Sequence, residues 1–157
     1  MGHFLGTGEP ALVYMQNSGI GNAVNPLLSL ADPEVYGVPM LLVIGWRGEP
    51  GVKDEPQHVK QGRRMTELLE SMEVPWFVLP ETANEARTVV AEAAQRMHKR
   101  MGPVALLVRA GTFGSYSLAQ DEPSGLPMNR EDAIKCVVHQ LQDALPVVET
   151  TTSSSCS

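Results

Sequence analysis

Two short stretches hold residue types that could bind and turn over a small ligand. The first is Gln16-Asn17-Ser18-Gly19-Ile20-Gly21-Asn22. Its glycines let the backbone approach a ligand closely, and a helix starting there would aim free N–H groups at it. An ordinary strand-to-helix turn has the same pattern, and spacing alone does not separate the two. The second stretch is Gly45-Trp46-Arg47-Gly48-Glu49-Pro50-Gly51-Val52-Lys53-Asp54-Glu55-Pro56-Gln57-His58. Arg47 and Lys53 could hold an anionic group, the arginine by a bidentate contact. His58 could hydrogen-bond a substrate or give it a proton. From Trp46 to Arg64 there are five basic and three acidic residues, a local charge of +2 in a chain of −6. A solvated charged loop is the alternative. A buried Trp46 beside Arg47 tilts the reading toward a site, since functional residues concentrate on loops held by a scaffold.

Other candidates are weaker. His98 and His139 fall on helical patterns and read as surface residues, and His3 lies near the N-terminus. No His, Cys or Asp spacing resembles a zinc site, so no metal ligand is assigned. Gly-x-Ser-x-Gly, the P-loop and Gly-x-Gly-x-x-Gly are all absent.

The elements that must position these stretches follow from apolar patterning. Ala11–Met15, Met40–Ile44, Trp76–Leu79 and Val104–Val108 are short apolar runs bounded by turn residues. Such runs suit strands covered on both faces, as in a parallel sheet. Val147-Val148 is a weak fifth. Met65, Leu68, Leu69 and Met72 recur at helical spacing, as do Ala86, Val89, Val90, Ala93 and Met97. Ala133, Ile134, Val137, Val138, Leu141 and Leu145 form a third set, with Asn129 as its N-cap. Thr82-Ala83-Asn84-Glu85 reads as a capping box. A shorter helix is predicted from about Asn22 to Leu30, with Pro26 in its first turn. Strand–helix alternation implies βαβ crossovers, and such sheets bind ligands beyond the carboxyl ends of their strands. The loops after Met15 and Ile44 are there. Residues 110–128, rich in Gly, Pro and Ser, read as an interdomain linker.

Composition narrows the class. The chain has 157 residues, 12 Lys+Arg against 18 Asp+Glu, 43% hydrophobic and 19% charged. That is globular composition, and the acidity argues against a nucleic-acid binder. No apolar run is long enough for a transmembrane helix, and the N-terminus lacks a signal-peptide pattern. Cys136 and Cys156 form no disulfide framework. The expectation is a cytoplasmic α/β protein with no membrane or nucleic-acid partner.

A family resemblance then enters. Val13–Leu27, continuing to Asp32-Pro33-Glu34-Val35-Tyr36, resembles phosphonopyruvate decarboxylases, as does Gly45–Gly62. Sulfopyruvate decarboxylase α subunits look similar, more loosely in the second loop. These are thiamine-diphosphate enzymes. The resemblance implies an open parallel sheet of the thiamine-diphosphate-binding fold, here an incomplete pyrimidine-binding domain over residues 1–109. Residues 129–157 would begin a pyrophosphate-binding domain. The implied reaction converts 3-phosphonopyruvate to phosphonoacetaldehyde and CO2, in a site shared between chains of a homo-oligomer or with a pyrophosphate-domain partner chain. Ser18, Gly19 and Asn22 would lie near the cofactor pyrimidine, Arg47 and Lys53 on the substrate anions, and Gln57 and His58 as hydrogen-bonders.

The chain departs from the family pattern at both ends. The helix carrying the Glu that activates the cofactor is missing, and so is the Gly-Asp-Gly motif that holds the diphosphate through Mg2+. The expectation is therefore a chain inactive by itself. Two alternatives stand beside it: a non-catalytic subunit or interaction module, and an α subunit of the sulfopyruvate type.

Overall fold

A computed structural model describes residues 2–115. Its elements are α1 (Gly2–Thr7), β1 (Ala11–Gln16), α2 (Ile20–Pro26), β2 (Met40–Gly45), α3 (Pro56–Arg63), α4 (Met65–Ser71), β3 (Trp76–Val78), α5 (Ala83–Arg100) and β4 (Pro103–Val108). The strands form one four-stranded parallel sheet in the order β1-β2-β4-β3. This is the expected open α/β sheet. The expected strand at Val147-Val148, the helix over 133–145 and most of the linker lie outside the described residues.

The order explains which face each helix covers. The chain moves in one direction from β1 to β2 and on to β3, then steps back to β4. Parallel crossovers share one hand, so reversing direction sends the helix to the other face. Accordingly, α2 and α4 pack Ile20, Met65 and Leu69 against Leu42, Ile44, Ala105 and Leu107. On the opposite face, α5 packs Ala93 and Met97 against Val104 and Leu106. Covered on both sides, β4 is buried at every position.

The edge strand β1 departs from the expected pattern. Its exposure alternates. Val13 and Met15 pack on the first core, whereas Leu12 and Tyr14 are 67% and 75% exposed. The helix α5 covers β3, β4 and Leu41 of β2, and β1 lies beyond its reach.

The second helix also differs. It starts earlier than expected, through a 3-10 turn at Asn17–Gly19, so Pro26 closes α2 instead of opening it. A π-helical turn over Leu27–Ala31 follows directly. Proline supplies no N–H to the helical ladder, and a wider turn is one way a helix absorbs that loss. At α5 the capping box is half formed. Thr82 accepts from the Glu85 N–H at 3.4 Å, but the Glu85 carboxylate takes the Thr82 hydroxyl proton bond instead of a backbone N–H.

Candidate functional site

Because β1 and β2 are adjacent and parallel, the two motif loops leave the same edge of the sheet. A side chain then joins them. Asn17 is only 2% exposed. Its Nδ2 donates to the Arg47 carbonyl at 2.8 Å, and its Oδ1 accepts from the Arg47 N–H at 3.2 Å. One carboxamide thus satisfies both main-chain groups of Arg47, which a primary amide can do because it is both donor and acceptor.

The second loop closes around Asp54. The Asp54 carboxylate accepts from Arg47 Nε at 2.9 Å, Arg47 Nη2 at 2.6 Å, Gly48 N at 2.7 Å and Glu55 N at 2.7 Å. The guanidinium hydrogen bond holds its carboxyl well below the usual carboxylate range; the two backbone N–H groups act in the same direction, and partial burial opposes them. Arg47 is shifted upward, chiefly by that same hydrogen bond.

The closed loop lies directly on α3. Gly48 has φ +68, and a Cβ there would overlap the His58 carbonyl. A Cβ on Gly62 would overlap the Gly48 carbonyl. Only glycine permits this backbone crossing. The half-buried Trp46 donates its indole N–H to the Gly62 carbonyl at 2.8 Å. Glu49 ties the loop to Arg109, just past β4, at 2.8 Å.

Beside this crossing is a cleft of about 450 Å³. Asn17, Ser18, Ile20 and Gly21 form one wall. Gln57, Lys60, Gln61 and Arg64 form the other, with Met65 and Leu68. Ile20, Met65 and Leu68 supply apolar surface, and the amides and cations supply the polar groups. A Cβ on Gly21 would meet nothing within 4 Å, so no group among the described residues fills that space. An apolar hollow with a few polar groups is the usual form of a small-molecule site. Two other depressions, of about 480 and 550 Å³, border Arg100 at the opposite, amino end of the strands.

The expected site residues divide accordingly. Ser18 and Gln57 line the cleft. Ser18 Oγ donates to Gln16 Oε1 at 2.9 Å. Gly19 and Asn22 follow Ser18 without lining the cleft, and the side chain of Arg47 is engaged by Asp54. Lys53 is exposed on the loop. His58 lies outside the cleft lining, with Nδ1 buried and without a hydrogen-bond partner among the described residues. Sequence reasoning missed Lys60, Gln61 and Arg64 because it read no helix at 56–63. The available signal was Pro56, which sits at the first turn of α3, where proline is favoured. Among the described residues, no group of three His, Cys, Asp or Glu could hold a metal ion, and no helix is long and apolar enough to cross a membrane.

No protein-family model matches the chain. Individual relatives do. The chain is 36% identical over 122 residues to a phosphonopyruvate decarboxylase of Streptomyces viridochromogenes, covering 78% of this chain and 30% of that protein. It is 31% identical over 169 residues to a phosphonopyruvate decarboxylase of Streptomyces hygroscopicus, covering 98% of this chain and 41% of that one. It is 38% identical over 109 residues to a sulfopyruvate decarboxylase subunit alpha of Methanococcus maripaludis, covering 69% of this chain and 62% of that one. The chain is therefore homologous to these decarboxylases and spans less than two thirds of the length of each.

Proposed function

We propose that this chain contributes the pyrimidine-binding half of a cytoplasmic thiamine-diphosphate decarboxylase for a three-carbon 2-oxo acid with a second anionic group, phosphonopyruvate by first preference. The observation that carries the reading is the Asn17–Arg47 staple, which sets Ser18 and Gln57 on facing walls of one cleft. Relatives named for phosphonopyruvate and sulfopyruvate support the substrate class.

The cleft suits the ring end of the cofactor. A flat ring finds apolar surface on Ile20, Met65 and Leu68, open space beside Gly21, and amides at Gln57 and Gln61. The diphosphate end finds no metal-holding cluster among the described residues, so that end is assigned to a partner chain or domain. When bound, thiamine diphosphate supplies an electron sink for the pair left by departing CO2.

This chain's residues bind and orient. Gln57 and Gln61 hydrogen-bond the 2-oxo acid, and Ser18 offers a hydroxyl from the opposite wall. The bond between the carboxyl carbon and the carbonyl carbon breaks, CO2 leaves, and a proton takes its place to give the aldehyde. In this reading Arg47 braces the loop through Asp54, and Lys53 is a solvent-facing cation on that loop. His58 follows Gln57 on α3 but lies outside the cleft lining, so its part in this reading is to support the loop crossing through its main chain.

The test is CO2 release by the chain with thiamine diphosphate and Mg2+, alone and with a separately supplied pyrophosphate-domain subunit. Release from phosphonopyruvate or sulfopyruvate and not from pyruvate is expected in the second arm. No release from any of the three with that subunit present would reject the reading and favour a non-catalytic module.

A further inference from the structure

The acidic chain carries an unusually basic helix at the cleft. Residues 57–64 contain Lys60, Arg63 and Arg64 and no acid, within a protein of net charge −6. Lys60 and Arg64 are four apart, across the junction of α3 and α4, and both line the cleft. Residues at that spacing share a helix face. Arg64 Nη1 donates to Glu67 at 2.8 Å, a pair whose side chains are 60% and 59% exposed. Such surface pairs contribute little and yield to a stronger anion. Lys60 takes part in none of the ion pairs among the described residues. A cation with no carboxylate partner among the described residues, at the rim of an apolar-floored cleft, is poised for an anion that arrives from solution.

We infer that Lys60 and Arg64 form a subsite for a doubly charged tetrahedral oxyanion, the phosphonate end of the substrate. Two cations match the two charges of a phosphonate and exceed the single charge of a sulfonate. Arg64 presents the rest of its planar fork, which suits an oxyanion, while Lys60 acts as a point charge. The pair therefore selects phosphonate over sulfonate. The inference rests on the cleft being the substrate site proposed above. It assigns the second anion to α3 and α4 instead of to Arg47 and Lys53.

The test uses methylphosphonate and methanesulfonate as probes on the full chain, followed by amide and arginine Nε–H NMR. At alkaline pH methylphosphonate should perturb Arg64 and the neighbouring amides. It should bind about fivefold or more tightly than methanesulfonate, the value of one extra charge facing a cation near 4 Å in water. The preference should vanish at acid pH, where the phosphonate carries one charge. Lys60→Gln should reduce it, and Arg96→Gln on α5, remote from the cleft, should leave it intact. Equal affinity for the two probes, or a preference unchanged by Lys60→Gln, would overturn the inference. Selective binding without decarboxylation in the assembled assay would sink the proposed function and leave the anion subsite standing. Decarboxylation with a phosphonopyruvate KM unchanged by Lys60→Gln would do the reverse.

Discussion

Asn17 and Arg47 exchange two hydrogen bonds across thirty positions of sequence, with Nδ2 donating to one main-chain group and Oδ1 accepting from the other. The carboxamide is buried, and Asn17 is 2% exposed. Asn17→Ala would leave the Arg47 N–H and carbonyl unpaired. A loss of about 1–3 kcal/mol is expected. Asn17→Asp keeps the acceptor and loses the donor, and it should also destabilise. Urea unfolding of the three proteins decides the point, and a change below about 0.5 kcal/mol would show that the loops stay joined without the staple.

The glycines separate packing from propensity. Helix propensity alone says that Gly62→Ala in α3 should stabilise by about 0.5–1 kcal/mol. The structure reverses the sign, because the new Cβ would collide with the main chain of Gly48. Destabilisation by about 1–3 kcal/mol is expected for Gly62→Ala, as for other overpacked sites. Gly48→Ala should be at least as costly, since its positive φ adds strain to the collision. Gly21→Ala meets open space in a helix and should leave stability equal or slightly higher. Its effect should be felt only in ligand binding. Melting temperatures of the three variants give the signs directly.

Acid should weaken the loop through Asp54. Its carboxyl is held below the usual range by Arg47 and two backbone N–H groups, so folding favours the charged form. Stability from this group is fully present above the unfolded pKa, near 4, and is lost as pH falls below it toward the lower folded value. Asp54→Asn should therefore be less stable than the parent above about pH 5, by an amount that does not change with pH there. The gap should narrow as pH drops below about 4. A gap that stays constant down to acid would mean that Asp54 is not the group responsible. Hydrogen exchange of residues 47–55 should rise in the same variant at neutral pH.

The two faces of the sheet should respond differently to mutation. Leu42 and Leu69 are 1% and 0% exposed in the core under α2 and α4. Truncating either to Ala should cost about 2–5 kcal/mol. Tyr14, on the uncovered side of β1, should tolerate Tyr14→Thr within about 0.5 kcal/mol. A large loss at Tyr14 in the isolated chain would mean that something covers that face in solution.

Much of the fold was legible locally. Met40–Ile44 and Val104–Val108 are apolar without interruption, a pattern that suits a strand with helices on both sides. Thr82 and Glu85 mark where α5 begins, and Pro56 is a local signal for α3 within a stretch that reads as a charged loop. The motif loops stood out by their glycines and amides. What the sequence by itself determined is therefore the set of elements, because hydrophobic period, caps and turn residues act over a few positions.

The tertiary structure decided which side chains serve the scaffold and which face the cleft. Asn17 was no candidate and Arg47 was a candidate anion holder, yet the buried Asn17 carboxamide joins the two loops and Asp54 engages the Arg47 guanidinium. Lys60 and Arg64 entered only as part of a local charge count, yet α3 and its junction with α4 bring them to the rim of an apolar hollow. Leu12 and Tyr14 looked like core, yet β1 lies at the edge, beyond α5. Each of these assignments depends on a partner distant in sequence, and only the folded sheet brings such partners within reach of hydrogen bonds and van der Waals contact.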